Sequence, residues 1–340
     1  MNSLVTGATG FIGGRLVQQL LAEGETVHML CRPGADASSF MSKNIRICRG
    51  DILDARTIES AMNGCDFVYH IAGYAKNWAR DPRKYIEVNV DGLRRVLDAA
   101  MKTGVKRVAV TSTSVIFGPS NGTPTIETTN RTKDFFTDYE YSKYLAEQAV
   151  REYVDNGLDV VILNPTRVFG PGLMNEGNSV AKMVELYLQG KFRLILGDGS
   201  GVGNYAFVND VVRGHILAMK AGRTGERYIL GGENVSYNEF FRMLSEVSGR
   251  KRWMAHIHPT LALAISQVEN LRARRFHHYP LITPGWLRTF IADWAFSSEK
   301  AERELGYTVT PLRTALETTV QWIQSKSEKR KKSFAQEVLL

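Results

Sequence analysis

Thr6-Gly7-Ala8-Thr9-Gly10-Phe11-Ile12-Gly13 follows the apolar pair Leu4–Val5 and precedes an amphipathic stretch, Arg15 to Ala22, with Leu16, Leu20 and Leu21 on one face. A strand, a glycine turn and a helix in that order open a βαβ unit. The three glycines have GxxGxxG spacing rather than the tighter GxGxxG. Glycines let the backbone bend sharply and approach a pyrophosphate, while the helix start offers free N–H groups and a positive dipole end. Gly7, Thr9, Gly10, Phe11, Ile12 and Gly13 are therefore expected to cradle a dinucleotide. A ligand-free glycine turn is the plainer alternative, and the strand–turn–helix setting weighs against it.

The same rhythm continues outward. Strands are expected at Val27–Cys31, Ile45–Arg49, Phe67–Ala72, Val108–Thr111 and Val160–Asn164, with helices at Ala55–Met62, near Arg83–Lys102 and from Tyr139 to Asn156. Alternating strands and helices predict an α/β fold, a Rossmann-type doubly wound parallel sheet. After Pro165 the loops lengthen. Strands follow at Arg193–Leu196 and Tyr228–Leu230, with helices at Val180–Gln189, Val211–Lys220, Tyr237–Ser248 and Leu312–Lys326. This suggests a smaller α+β substrate-binding domain. The nucleotide domain spans 1–166 with a return near 204–230. The substrate region spans 167–203 and 231–325, and 326–340 reads as a basic, disordered tail.

The 340 residues are 44% hydrophobic, enough for a large core, with no apolar run that would span a membrane. No signal peptide is evident, and the three cysteines, Cys31, Cys48 and Cys65, form no CxxC pair, so a cytoplasmic enzyme with reduced thiols is expected. The net charge of +8 is concentrated. Segment 249–278 carries +5 and 326–332 carries +4, which leaves the remainder near neutral. A spread nucleic-acid surface is thereby disfavoured. Weak contact with an anionic membrane surface through these basic C-terminal segments is the sharper reading.

An NAD site places an acid at the end of the second strand to bind ribose hydroxyls. Here Cys31 and Arg32 stand there, and no carboxylate precedes Asp36. Arg32 suits a 2′-phosphate, so NADP(H) is expected over NAD(H). Asp51 and Ile52, after the third strand, fall where a carboxylate can meet the adenine amino group. Ala72 and Gly73 are small residues beside the cofactor's middle, and His70 reads as a packed histidine.

Tyr139 and Lys143 lie four residues apart on a helix and so share a face. A free phenol has a pKa near 10, too high for easy proton exchange at neutral pH. The lysine cation and the helix start are expected to lower it, making Tyr139 a proton donor to a carbonyl as hydride arrives. Lys143 is also expected to hold the ribose. Thr111, Ser112 and Thr113 end the preceding strand, where ligands of such sheets bind.

TGATGFIG (6–13), GDILD (50–54), HIAG (70–73), NVDG (89–92), TSTSVIFG (111–118), YEYSKYLAE (139–147) and NPTRVFGPG (164–172) together resemble the extended short-chain dehydrogenase/reductase superfamily. The resemblance implies that Thr113 completes a triad with Tyr139 and Lys143, that Asn89 supports it, and that Pro165 and Thr166 border the nicotinamide. It also implies a homodimer in which the helices near 83–102 and 139–156 pair into a four-helix bundle. Arg32 resembles the selecting arginine of the dihydroflavonol reductase group. HIAGYAKNW (70–78) and YPLITPGW (279–286) look more like the 3β-hydroxysteroid dehydrogenase-related branch. Asn204 stands where sugar-nucleotide epimerases carry arginine, and Ser114-Val115 where dehydratases carry Asp-Glu.

The substrate is expected to be a mainly apolar small molecule, a ketone, aldehyde or alcohol, with Lys76, Trp78 and Thr113 beside it. Leu261, Ile265 and Val268 form a helical stripe that reads first as core of the small domain, and second as a pocket wall or lid. His256, His258, His277 and His278 lack acidic or cysteine neighbours, so no metal is expected. The competing functions are an epimerase that retains its cofactor and a non-enzymatic NADP-binding regulator. The retained Tyr–Lys pair speaks against the regulator.

Overall fold

A computed structural model describes residues 1–276, 278–280 and 282–337, with side chains described through Glu328. Twelve strands follow in chain order: β1 (Asn2–Thr6), β2 (Thr26–Cys31), β3 (Ile45–Arg49), β4 (Phe67–His70), β5 (Arg107–Thr111), β6 (Val160–Pro165), β7 (Arg167–Phe169), β8 (Leu194–Leu196), β9 (Val202–Phe207), β10 (Arg227–Leu230), β11 (Glu233–Ser236) and β12 (Ala255–Ile257). The helices are α1 (Phe11–Ala22), α2 (Ala55–Met62), α3 (Arg83–Ile86), α4 (Gly92–Thr103), α5 (Asp138–Asp155), α6 (Ser179–Leu188), α7 (Val208–Ala221), α8 (Tyr237–Ser248), α9 (Pro259–Phe276), α10 (Pro284–Ile291), α11 (Glu299–Leu305) and α12 (Leu312–Glu337).

Seven strands form the central sheet in the order β10-β6-β5-β4-β1-β2-β3, every neighbour parallel. The order reverses at β1 and β4, and the crevice beyond their carboxyl ends is where such sheets take ligands. Strand β6 is buried along its whole length, as a parallel strand covered on both faces must be. Two apolar layers cover the sheet. One holds α1, α7 and α11; the other holds α2, α4 and the inner face of α5. The seven strands and their helices make this a Rossmann-like α/β fold.

The smaller part joins a three-stranded sheet, β11-β9-β7, to α6, α8 and the start of α12 around Phe169, Tyr205, Phe240 and Leu316. Strands β7, β9, β11 and β12 and helices α10 and α11 go beyond the sequence pattern. Helix α11 and Tyr307, grouped by sequence with the substrate region, pack instead on the first core.

Other differences are local. Helix α1 begins at Phe11, four residues before the apolar periodicity starts. The stretch near 83–102 is not one α-helix: a π turn at Glu87–Asp91 separates α3 from α4. The basic tail expected to be disordered from 326 continues α12 to Glu337, a stretch free of Gly and Pro and rich in Lys, Arg, Gln and Glu. Leu261, Ile265 and Val268, read first as core, lie on the outer side of α9 at 57%, 51% and 60% exposure, while Ala262, Ser266 and Ala273 face inward. Periodicity marks a stripe without saying which way it turns.

Candidate active site

Helix α5 starts cleanly because the Thr137 side chain accepts from Glu140 N at 3.2 Å, the N-cap arrangement. This sets Tyr139 in the first turn and Lys143 one turn on. Lys143 is buried, and its ammonium donates to the Thr111 carbonyl at 2.8 Å. The Thr113 hydroxyl lies close enough to the Tyr139 phenol to favour its ionised form. A Cβ placed on Gly73 would lie 3.2 Å from Asn89 Oδ1 and 3.4 Å from Lys143 Nζ, so these residues converge at the ends of β4 and β5.

Asn89 sits inside the π turn, a distortion that often marks functional sites. Its Oδ1 accepts from Tyr74 N at 2.7 Å and its Nδ2 donates to Ser142 Oγ at 2.9 Å. Ser142 Oγ in turn donates to the Tyr139 carbonyl at 2.8 Å. Asn89 thus ties the loop after β4 to the first turns of α5.

Electrostatics differ from the sequence reading. Burial pushes the Tyr139 phenol up to about 12, with the Thr113 hydrogen bond opposing it and Glu140 adding to the rise. Lys143 does not bring the phenol down as expected: burial, Thr113 and Glu140 set its position. Burial instead depresses Lys143 to about 8, against the pull of Glu147. His70 is buried, bonded to Thr6 Oγ1 at 2.9 Å, and held down to about 3 by burial and then by Lys143. It is a packed neutral histidine.

The glycine loop fits a dinucleotide. Gly7 takes φ +68, and a Cβ there would meet Ala72 N at 2.7 Å across the sheet's switch point. A Cβ on Gly13 would lie 2.1 Å from the Gly7 carbonyl. Gly10 N closes the turn on Gly7 O at 2.8 Å, and Gly10 caps α1 without a side chain, which leaves the helix start to an anion. Thr9 and Ile12 are half-buried in this loop and Phe11 is buried. Asp51 is half-buried, its Oδ1 accepting from Leu53 N at 3.0 Å, and Ile52 is buried next to it.

Arg32 is exposed just beyond β2. Arg49, at the end of β3, reaches across to the carbonyls of Ala35 at 2.7 Å and Arg32 at 3.4 Å. Sequence reasoning passed over Arg49, although it is the register partner of Cys31. Ser112 is buried at the exit of β5. Pro165 is buried, and the Thr166 hydroxyl donates to Asn204 Oδ1 at 2.7 Å. Thr111 is likewise occupied: its hydroxyl meets His215 Nε2 at 2.9 Å.

A cleft of about 780 Å³ opens beside the first turn of α5, walled by Trp78, Tyr85, Phe136, Tyr141, Arg274 and Pro284 among others. Trp78 packs edge-on against Tyr279 with ring centres 5.7 Å apart. Lys76 is exposed, its ammonium 5.8 Å from the Tyr74 ring, and it does not line this cleft. Among the described residues no three His, Cys, Asp or Glu side chains come together as a metal site, and His277 lies outside them. The three cysteines are free. No described helix is long and apolar enough to cross a membrane.

The family model described as the NAD dependent epimerase/dehydratase family matches residues 3–231. "Sterol demethylase protein B" of Methylococcus capsulatus is 31% identical over 96% of this chain and 99% of its own length. A "putative dihydroflavonol 4-reductase" of Synechocystis is 28% identical over 94% of each chain. The solved UDP-glucose 4-epimerase of Thermotoga maritima, with UDP-glucose, superposes with a TM-score of 0.80 at 25% identity, over 96% of this chain and 99% of that one. Sheet order, glycine turn and end-to-end matches agree, and the chain belongs to the NAD dependent epimerase/dehydratase family, as a nicotinamide-dependent enzyme of the extended short-chain dehydrogenase/reductase type.

Proposed function

We propose that the protein is an NADP-dependent oxidoreductase that reduces a ketone or aldehyde on a mainly apolar small molecule, or oxidises the corresponding alcohol. The observation that carries this is the closeness of the Thr113 hydroxyl to the Tyr139 phenol, on the helix face that also carries the buried Lys143. The nicotinamide, when bound, supplies or takes the hydride. Thr113 then holds the reacting oxygen, and Tyr139 Oη gives its proton to that oxygen as it gains charge. Lys143, one turn along the same helix face, would hold the ribose of the nucleotide and so fix the nicotinamide beside Tyr139. Gly7, Thr9, Gly10, Phe11, Ile12 and Gly13 would bind the pyrophosphate. Asp51, Ile52, Ala72, Gly73, Ser112, Pro165 and Thr166 would border the rest of the nucleotide. Arg32, with Arg49 behind it, favours a 2′-phosphate by charge.

The aromatic walls of the cleft, including Trp78, support an apolar substrate. The test is a carbonyl and alcohol panel with NADPH and NADP⁺. Net cofactor turnover that Tyr139→Phe abolishes supports the reading, and turnover unaffected by that change overturns it.

A retained-cofactor epimerase is the second reading, favoured by the end-to-end likeness to a solved epimerase. Asn204 weighs against it. Its amide donates to Gly232 O and Asn234 Oδ1, both at 2.8 Å, and is committed to the fold. Protein purified with stoichiometric cofactor and no net consumption would favour the epimerase.

Helix α9 also suggests where substrate is met. Its outer face carries Leu261, Ile265 and Val268, and Arg274 and Arg275 stand in its last turn. An apolar stripe with a basic end suits an anionic bilayer surface, and Arg274 lines the cleft on the same helix. Flotation with phosphatidylcholine vesicles, with and without phosphatidylglycerol, tests this. Binding only to the anionic vesicles, lost in Ile265→Glu, is expected. Absence of binding, or a dimer that the same change dissolves, overturns it.

A further inference from the structure

Helix α5 continues one turn past Lys143 to Glu147, a carboxylate only 3% exposed. Burying such a group is costly unless it is paired and hydrogen-bonded. The Asn164 amide, fully buried on β6, donates to Glu147 Oε1 at 2.7 Å. The same Nδ2 lies 3.1 Å from the Thr113 carbonyl. Glu147, Asn164 and Thr113 therefore form one chain of contacts, from the helix that carries Tyr139 and Lys143 to the main chain of the residue whose hydroxyl lies beside Tyr139.

Charges meet Glu147 from several sides. Lys143 acts on it from its own helix, and Ser112 lies beside it at the exit of β5. Arg227 on β10 approaches to 3.7 Å. Behind it is a polar cavity of about 160 Å³, whose lining includes Glu127, Arg151, Glu226 and Lys300. Burial raises the Glu147 carboxyl, and Asn164, Arg227 and Lys143 pull it back.

Resting on the proposed reading of the site, we infer that Glu147 is a positioning residue: through Asn164 it fixes the main chain at Thr113, and it supplies the counter-charge that faces the Lys143 ammonium. The proton donor, the oxygen-holding hydroxyl and the cation then share one buried support. Glutamine at 147 keeps an oxygen for Asn164 and removes only the charge.

Two measurements separate these roles. With ε-¹³C-lysine protein, Lys143 being assigned from the signal lost in Lys143→Arg, the wild-type ammonium is expected to titrate near 8. In Glu147→Gln it is expected to titrate about one pH unit lower, the size of shift an opposite charge at close range produces. An unchanged midpoint in folded Glu147→Gln overturns the charge role. Asn164→Ser breaks the tie to Thr113 and keeps the carboxylate. With NADPH and 4-nitrobenzaldehyde as probe, it is expected to lower kcat about tenfold at unchanged KM for NADPH, in line with the loss from a small misplacement of catalytic groups. Wild-type kcat there overturns the positioning role, and Asn164→Ser serves alone should Glu147→Gln fail to fold. Tyr139→Phe run in parallel keeps the two claims apart. If it stays fully active, the reading of the site fails. If it is inactive while the Glu147 and Asn164 variants match wild type, only this inference fails.

Discussion

Lys143 donates its ammonium to the main-chain carbonyl of Thr111 at 2.8 Å, which holds the lysine at the end of β5 and away from solvent. With Lys143 depressed to about 8 and Tyr139 raised to about 12, the lysine loses its proton first as the solution becomes alkaline. Carbonyl reduction needs a protonated phenol and a charged lysine. For the free enzyme, kcat/KM should therefore hold steady below pH 8 and fall as pH rises through about 8. Lys143→Met should be slower and should lack this limb. A pH–rate profile of NADPH oxidation checks it, and a limb surviving in that variant would belong to another group.

Tyr139→Phe removes one oxygen and leaves the helix and the glycine loop intact. Loss of a positioned acid lowers turnover by about 10²–10⁴-fold. Cofactor binding, followed by NADPH fluorescence, should change little. Thr113→Ala removes the hydroxyl beside the phenol and should also lower kcat, while Thr113→Ser should restore most of it.

Arg49 braces the loop carrying Arg32 through the Ala35 and Arg32 carbonyls. If that loop takes the 2′-phosphate, Arg32→Ala should raise KM for NADPH by about 10–100-fold, as a lost charge-assisted hydrogen bond implies, and leave KM for NADH nearly unchanged. Arg49→Ala should raise KM for NADPH less. Steady-state kinetics with both cofactors decide this, and equal effects on the two would remove Arg32 from the 2′-phosphate role.

What the sequence reveals follows from distance along the chain. Gly7 to Gly13, and Tyr139 with Lys143, are local patterns with one geometric meaning: a turn from β1 into α1, and two side chains one turn apart on α5. Glu147 repeats the four-residue spacing after Lys143, a signal available in YEYSKYLAE, but spacing alone cannot tell a buried carboxylate from a solvated one. Asn164, His215 and Arg49 take their roles from partners 51, 104 and 14 residues away, which no local pattern encodes. Helix α9 shows the limit from the other side, since its apolar stripe is visible while the direction it faces depends on neighbours far off in the chain. The rise of the Tyr139 phenol was equally hidden, because burial is a property of the assembled fold.

His215 gives a prediction about acid stability. It is fully buried on α7, its Nδ1 2.7 Å from the Val211 carbonyl and its Nε2 facing the Thr111 hydroxyl. A proton on Nδ1 donated to the carbonyl leaves Nε2 to accept from Thr111, so the neutral ring satisfies both contacts. Burial holds it down from 6.5 to about 4. Between those values the unfolded chain binds the proton and the native protein does not, so stability falls as pH drops from about 6.5 to about 4. Linkage puts this one group's contribution at roughly 2 kcal/mol lost between pH 7 and pH 5. His70, held down to about 3, acts in the same direction. His215→Gln keeps a polar side chain beside Thr111 without an ionisable ring. Urea unfolding at pH 7 and pH 5 should show the variant losing about 2 kcal/mol less than wild type over that interval. An equal loss in both proteins would mean that His215 takes up its proton in the native state and that the contact with Thr111 survives it.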